Sequence, residues 1–424
     1  MNIKSMDQDK EFKELQDQQQ YQSYQEDLAF AKELNILRND FYYQMIDSAS
    51  LSLVDFLYQP LDLISGDAYT ARRIDINRTF YLIVDGMGKG LSASLTAMLM
   101  TSFINHIIDQ MIEFDSFSLD ILVKESMSYI KPILLEEEVL AIDYILFDTA
   151  YNNLQYAKFA MPASLMQDKL QNIIKLKSNN PPLSKYQKNY SIDEYNIKNI
   201  EKFLFFSDGI VENITSDNAT TYADYIENDF KQSFTREDLK QKFLKKINKA
   251  EDDITLIFIN RIPFEEAANY QKNFTSSLID VDKATQWYEN LWSTLTDNIE
   301  ISYKAGLVFT ELYMNAYEHG NLGIDSKTKH RLLDDDVYFQ TLQEKERSCN
   351  KKITVQVSKL NYNTSNYIIT QITDEGKGFD TQILSEIFRN SKTFNGRGVF
   401  VSRANSLGIY YNSAGTSVLY LHKI

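Results

Sequence analysis

Four aspartates lie in settings where one turn-forming residue is not a sufficient explanation. Asp67 lies in ISGDAYT, Asp85 in IVDGMGKG, Asp208 in FFSDGIVE and Asp252 in EDDITLIF. Three of these aspartates stand at the edge of an apolar run that reads as a strand, and Asp85 and Asp208 are each followed by glycine. A single Asp-Gly pair is an ordinary turn. Several converging carboxylates are different. Each is costly to bury alone, and together they repel unless a cation neutralises them. Hard oxygen ligands of this kind suit Mg²⁺ or Mn²⁺. With two such ions, a bridging water becomes a nucleophile for in-line attack on phosphorus. Glycine at Gly86 lets its carbonyl approach a metal closely.

A second group lies towards the C-terminus. FTELYMNAYEHG puts Glu311 and Asn315 four apart, on one face of a helix. Asn315 can ligate Mg²⁺ through its side-chain oxygen, and Glu311 can orient or deprotonate a nucleophile. In ITDEGKGFD, which follows a strand, Asp374 can accept from an adenine amino group while Gly376 and Gly378 let the backbone approach a ligand. NGRGVF, with Gly396 and Gly398, is a second glycine turn opening a helix, a ready site for phosphate oxygens. Thr416 precedes the last strand. Taken singly, Glu311 and Asn315 would be a polar stripe and DEGKG a hydrophilic turn; their order along one stretch argues for a nucleotide pocket.

The elements that must position these residues follow from hydrophobic patterning. FYLIVD (80–85), KFLFFSD (202–208) and DITLIFINR (253–261) read as buried strands. Residues 91–108 read as a long apolar helix and 115–130 as an amphipathic one. After IPFEEAANYQK, helices are expected near 281–296 and 300–318, a charged mobile stretch over 325–350, and strands at 353–360, 367–374 and the C-terminus. Residues 1–48 are polar and rich in Gln, and Phe30, Leu34, Leu37 and Phe41 recur at helical spacing. That spacing predicts one long helix or a short coiled coil able to form a homodimer. The division is therefore 1–48 helical segment, 50–262 first domain, 263–272 linker and 273–424 second domain, an α+β chain.

Composition bounds the rest. The chain has 424 residues, net charge −15 and pI about 4.9. With no basic patch, nucleic acid is not an expected partner. Cys349 is the single cysteine, so no internal disulfide or cysteine cluster can form; this fits a reducing, cytoplasmic setting. No signal peptide and no membrane-spanning apolar run are expected.

The ordered set SGD, DGMGKG opening a helix, FFSDG with Glu212 four residues on, and DDIT resembles the SpoIIE-like branch of the PPM-type serine/threonine phosphatases, over 50–262. The resemblance implies a β-sandwich flanked by helices and a two-ion Mn²⁺ or Mg²⁺ site. In it Asp85 would bridge the metals, the Gly86 carbonyl would bind one, and Asp67, Asp208 and Asp252 would complete the set. The family pattern prefers Asp252; Asp253 remains the alternative. Thr70 stands where the family often has a second acid, and KFAMPAS near Met161 replaces a common Gly-His pair.

The order ExxxNAxxHG, DxGxGF, GxG, GT resembles the GHKL ATP-binding domains, in particular the anti-sigma-factor serine kinases. It implies an α/β sandwich over 273–424 that binds ATP and Mg²⁺. Asn315 would hold Mg²⁺, Glu311 act as general base, Asp374 read adenine, and Gly376, Gly378, Gly396 and Gly398 shape lid and phosphate site. HGNLGIDSKTK and the charged stretch after it resemble proteins that fuse this phosphatase to this kinase. Of His106, His319, His330 and His422, none precedes the ATP domain on a helical hairpin, so a serine kinase fits better than a histidine kinase. The implied function is a bifunctional partner-switching regulator. It would dephosphorylate a small STAS-type anti-sigma antagonist, rephosphorylate the same or a related protein, and engage a sigma or anti-sigma factor. The rival is a phosphatase whose ATP domain is only a docking module.

Overall fold

The structure is a computed structural model. It describes residues 28–29, 31–47, 50–61, 64–87, 90–216, 220–263, 270–362, 365–384 and 397–424. The Gln-rich start of the chain, Phe30, Gly396 and residues 264–269 of the expected linker lie outside the described residues.

Two antiparallel sheets face each other in the N-terminal half. One has the order β1-β2-β12-β11-β7-β8: β1 is Tyr43–Asp47, β2 Ser50–Gln59, β7 Ser164–Asp168, β8 Ile173–Leu176, β11 Ile200–Phe206 and β12 Ile254–Pro263. The other runs β10-β6-β5-β4-β3, with β3 Asp67–Arg73, β4 Arg78–Gly86, β5 Val139–Asp148, β6 Asn153–Phe159 and β10 Asp193–Asn196, while β9 (Leu183–Ser184) pairs β5. Strands such as Arg78–Gly86 are apolar on both faces because helices cover the outer side. Helices α2 (Leu91–Glu113) and α3 (Leu119–Ile130) cover β3 to β5. Helices α4 (Asp208–Val211), α5 (Ile226–Gln232) and α6 (Arg236–Leu244) cover the other sheet. Contrary to expectation, α2 is long and apolar enough by composition to cross a membrane. Its polar residues interrupt the apolar run, but the apolar ones outweigh them in the mean, and Ala97, Met100, Ile104 and Ile108 are buried in this fold.

The C-terminal half is a five-stranded sheet ordered β13-β14-β15-β17-β16. The strands are β13 (Tyr270–Thr275), β14 (Lys352–Tyr362), β15 (Ser365–Asp374), β16 (Ile409–Tyr411) and β17 (Ser417–Lys423). Helices α7 (Leu278–Leu295) and α8 (Ile299–Asn315) pack on it, started by the side-chain caps Ser277 and Asn298. The stretch expected to be mobile forms α9 (Ser326–Asp334) and α10 (Tyr338–Ser348). Its charge hid two anchors: Tyr338 and Leu342 are buried, and Lys329 pairs with the buried Glu318 at 2.5 Å.

The N-terminal seam also behaves differently from its reading. Helix α1 covers 31–36 and the chain then turns, so Phe41 is not helical. Leu34, Leu37 and Phe41 are buried within this chain and are not available to a dimer partner. The two halves are joined as well. Leu37, Phe203, Tyr288 and Leu419 belong to one continuous apolar cluster. Tyr42 N–H donates to the Tyr411 carbonyl, and Phe234 stacks on Tyr367 with centroids 4.2 Å apart. Buried Asp55 of β2 accepts from Arg403 of α11 (Arg397–Ala404) at 2.7 Å and faces Arg236 at 3.4 Å.

Candidate functional sites

The four aspartates meet at one edge of the sandwich. Asp67 opens β3 and Asp85 nearly ends β4, directly opposite each other in the pair. Asp208 follows β11, and Asp252 precedes β12, in the facing sheet. Like charges opposite one another on adjacent strands are destabilising. Here burial adds to it: the Asp67 carboxyl is pushed up to about 8 by desolvation, with Asp253 and Asp208 adding repulsion. Asp85 is pushed up to about 10 by burial first, then by Asp67, Asp208 and Asp252, and its carboxyl is hydrogen-bonded to that of Asp208. Among the described residues no three acidic, histidine or cysteine side chains close into a ready metal cage. Ser207 Oγ donates to Asp67 Oδ2 at 2.7 Å. A set of buried carboxylates whose charged forms repel one another fits a divalent cation, which would neutralise them.

Asp253 is engaged elsewhere. Its carboxylate accepts from Leu61 N–H and Gly66 N–H, both at 2.6 Å, and so ties the 61–66 loop to β12. Gly86 N–H donates to the Gly66 carbonyl at 3.0 Å, and a Cβ at Gly86 would lie 2.8 Å from the Ala93 carbonyl. Only glycine permits that approach of β4 to α2. Thr70 is turned away from the carboxylates, bonding Asn105 and the Arg38 carbonyl.

The second set gathers at the end of the C-terminal sheet. Asp374 ends β15, and its N–H donates to the Thr416 carbonyl at 3.0 Å. Gly376 N–H donates to Asp374 Oδ1 at 2.8 Å. A Cβ at Gly376 would meet the Gly320 carbonyl at 2.2 Å, and one at Gly378, where φ is +69°, would meet the Ala414 carbonyl at 1.8 Å. Burial pushes the Asp374 carboxyl up to about 6. Glu311 and Asn315 lie on the last turns of α8, which continues as a π-helical turn over Ala316–Asn321. Gly398 of α11 packs on Glu311 so closely that a Cβ would lie 1.5 Å from its carboxylate. His319 bonds the Ile324 carbonyl and so braces the turn.

Several contributors were not legible beforehand. Ser207 steadies Asp67 and sits beside Asp208 in FFSDG, where its neighbour was the only hint. Asn321 accepts from Glu375 N–H at 2.9 Å and donates to Ser276 and the Lys352 carbonyl, linking three segments. Buried Tyr411 feels both Glu311 and Asp374, which raise its hydroxyl after desolvation.

A solved structure of the phosphatase domain and a regulatory fragment of SpoIIE from Bacillus subtilis is 17% identical, with TM-score 0.43, covering 49% of this chain and 63% of that one. The PP2C domain of SiaA from Pseudomonas aeruginosa is 18% identical, with TM-score 0.42, covering 49% and 85%. The RsbU and RsbW domains of a Mycobacterium tuberculosis protein are 12% identical, with TM-score 0.43, covering 88% and 95%. No curated protein matches the sequence. The family model for Stage II sporulation protein E (SpoIIE) matches residues 75–262, so that stretch of the chain is similar to SpoIIE.

Proposed function

We propose that this protein is a divalent-metal-dependent phosphatase of phosphoserine or phosphothreonine on a small antagonist protein of the STAS type, acting in a cytoplasmic partner-switching circuit. The observation that supports it most is the meeting of Asp67, Asp85, Asp208 and Asp252 at one sandwich edge, with Asp85 and Asp208 sharing a hydrogen bond. Asp85 would lie between two ions, with Asp67, Asp208, Asp252 and the Gly86 carbonyl as the other ligands. Bound Mn²⁺ or Mg²⁺ supplies an activated water and neutralises phosphoryl oxygens. Asp253 and Ser207 keep the carboxylates in register by holding the Gly66 amide and Asp67.

The C-terminal half is proposed to bind ATP with Mg²⁺ and to return phosphate to the same or a related protein. Asn315 would hold the ion, Asp374 the adenine amino group, and Gly376, Gly378, Gly396, Gly398 and Thr416 the lid and phosphates. Glu311 would take the proton of the accepting serine hydroxyl. One contact favours the rival, a non-catalytic module that docks a sigma or anti-sigma factor: Gly398 packs directly on the Glu311 carboxylate.

The deciding experiment follows phosphate release from a phosphorylated STAS protein with Mn²⁺, with Mg²⁺ and after chelation. Release is expected only with metal. Equal release after chelation overturns the phosphatase reading.

A further inference from the structure

Three consecutive backbone amides leading into β3 and including its first residue are each held by a side chain. Ser65 N–H donates to Glu33 Oε1 at 3.4 Å, Gly66 N–H to Asp253 Oδ2 at 2.6 Å, and Asp67 N–H to Ser65 Oγ at 3.0 Å. Two of these three acceptors are local or belong to the acidic edge. Glu33 is neither: it comes from α1, and 32 residues separate it from Ser65. It is nonetheless 2% exposed, on a short helix whose neighbours Ala31, Lys32 and Asn35 face solvent. A carboxylate is not buried beside Leu34 and Leu37 without partners to hold it there.

Its main partner is Tyr58. The Tyr58 hydroxyl lies 2.5 Å from Glu33 Oε1 and 3.1 Å from the Asp67 carbonyl. Tyr58 itself belongs to β2, whose register with β12 sets Thr255 opposite it, three residues beyond Asp252. Glu33 Oε1 thus accepts from the Ser65 amide and from the Tyr58 hydroxyl, whose single proton it shares with the Asp67 carbonyl, and Ser65 Oγ in turn accepts from Asp67 N–H, so both routes end on the backbone of Asp67. The next carbonyl back, that of Gly66, accepts from Gly86 N–H, so the same brace extends to the Asp85–Gly86 pair. Glu33, Tyr58 and Asp67 all precede the residues matched by the SpoIIE family model.

We propose that Glu33 is a positioning residue for the metal site, setting the place of Asp67 through Tyr58 and Ser65. The proposal rests on the reading of the four aspartates as metal ligands. Groups that orient a ligand from behind change metal affinity by about ten- to hundredfold when removed.

The test is calorimetric titration of Mn²⁺ into the full chain, with thermal unfolding recorded on each variant. Glu33→Ala and Tyr58→Phe are expected to raise the Mn²⁺ Kd by about tenfold or more, and Glu33→Gln, which keeps an accepting oxygen, by no more than about threefold. A merely structural Glu33 would lower the melting temperature and leave Kd alone. Wild-type Kd in folded Glu33→Ala overturns the proposal. If Glu33→Ala fails to fold, Tyr58→Phe decides by the same criterion, because it keeps the ring and removes only the hydroxyl. A wild-type chain that binds no Mn²⁺ overturns the metal site and the proposal with it, whereas Mn²⁺ binding indifferent to both variants overturns the role of Glu33 alone.

Discussion

The two candidate sites solve opposite problems. At the acidic edge, side chains crowd like charges into a buried place, and burial pushes the Asp67 and Asp85 carboxyls well above the usual carboxylate range. In the C-terminal half, side chains have been withdrawn: Gly376 and Gly378 leave no room for a Cβ beside Gly320 and Ala414. The first site stores electrostatic cost that a cation can relieve. The second offers backbone that a ligand can approach. The difference teaches where to cut. A charge substitution should disable one site, and a base substitution should disable the other, with little crossover.

The largest expected effect is at Asp85. Asp85→Asn removes the charge that sits among three other carboxylates. Phosphate release should fall about 10²–10³-fold, the scale of losing a group that stabilises reacting charge, while ATP binding measured by calorimetry stays within error. Retained release would mean that the reacting centre is elsewhere. Glu311→Ala comes next: radiolabel transfer from ATP to the antagonist should drop by about 10²–10⁴, with nucleotide still bound. If the wild type binds ATP and transfers no label, the comparison breaks, and the C-terminal half is a docking module.

The smallest effect concerns pH and sharpens the electrostatic side alone. Asp67 and Asp85 have folded pKa values raised to about 8 and about 10, above an unfolded value near 4. A raised carboxyl binds its proton more tightly when folded. Its contribution to stability is complete below about pH 4 and is lost as pH rises through the folded pKa. The melting temperature of metal-free protein should therefore carry a falling component between about pH 4 and 10, and Asp85→Asn should flatten it. Saturating Mn²⁺ should remove the same component, since the cation takes the place of the protons. An unchanged slope in Asp85→Asn would show that burial at this edge is less complete than the geometry indicates.

Legibility differed along the same line. The strand that carries Asp85 and those that adjoin Asp208 and Asp252 were readable because FYLIVD, KFLFFSD and DITLIFINR are continuous apolar runs. Gly376 and Gly378 were readable as places that exclude a side chain, because glycine marks such places. What the sequence did not reveal depends on partners distant in the chain. Glu33 looked like one more charge in a polar segment, yet it is buried against Tyr58. The seam of Leu34, Leu37 and Phe41 was legible as apolar, but periodicity cannot say whose core it enters. The charged stretch at 325–350 failed for the reverse reason: two buried anchors, Tyr338 and Leu342, outweigh many solvated residues.

The Asp55 contact has a thermodynamic consequence. Asp55 belongs to the N-terminal half and Arg403 to the C-terminal half, so parting the halves would break this buried ion pair and leave Asp55 with the groups of its own half, Arg236 among them. Uncoupling a buried charge from its partner costs about 3–5 kcal/mol, and the shared apolar cluster adds exposed surface to that cost. Neither half can then melt while the other keeps its full stability. Calorimetry on the intact chain should record one merged endotherm instead of two, and severing the chain between 263 and 270 should yield fragments that are each less stable than the whole.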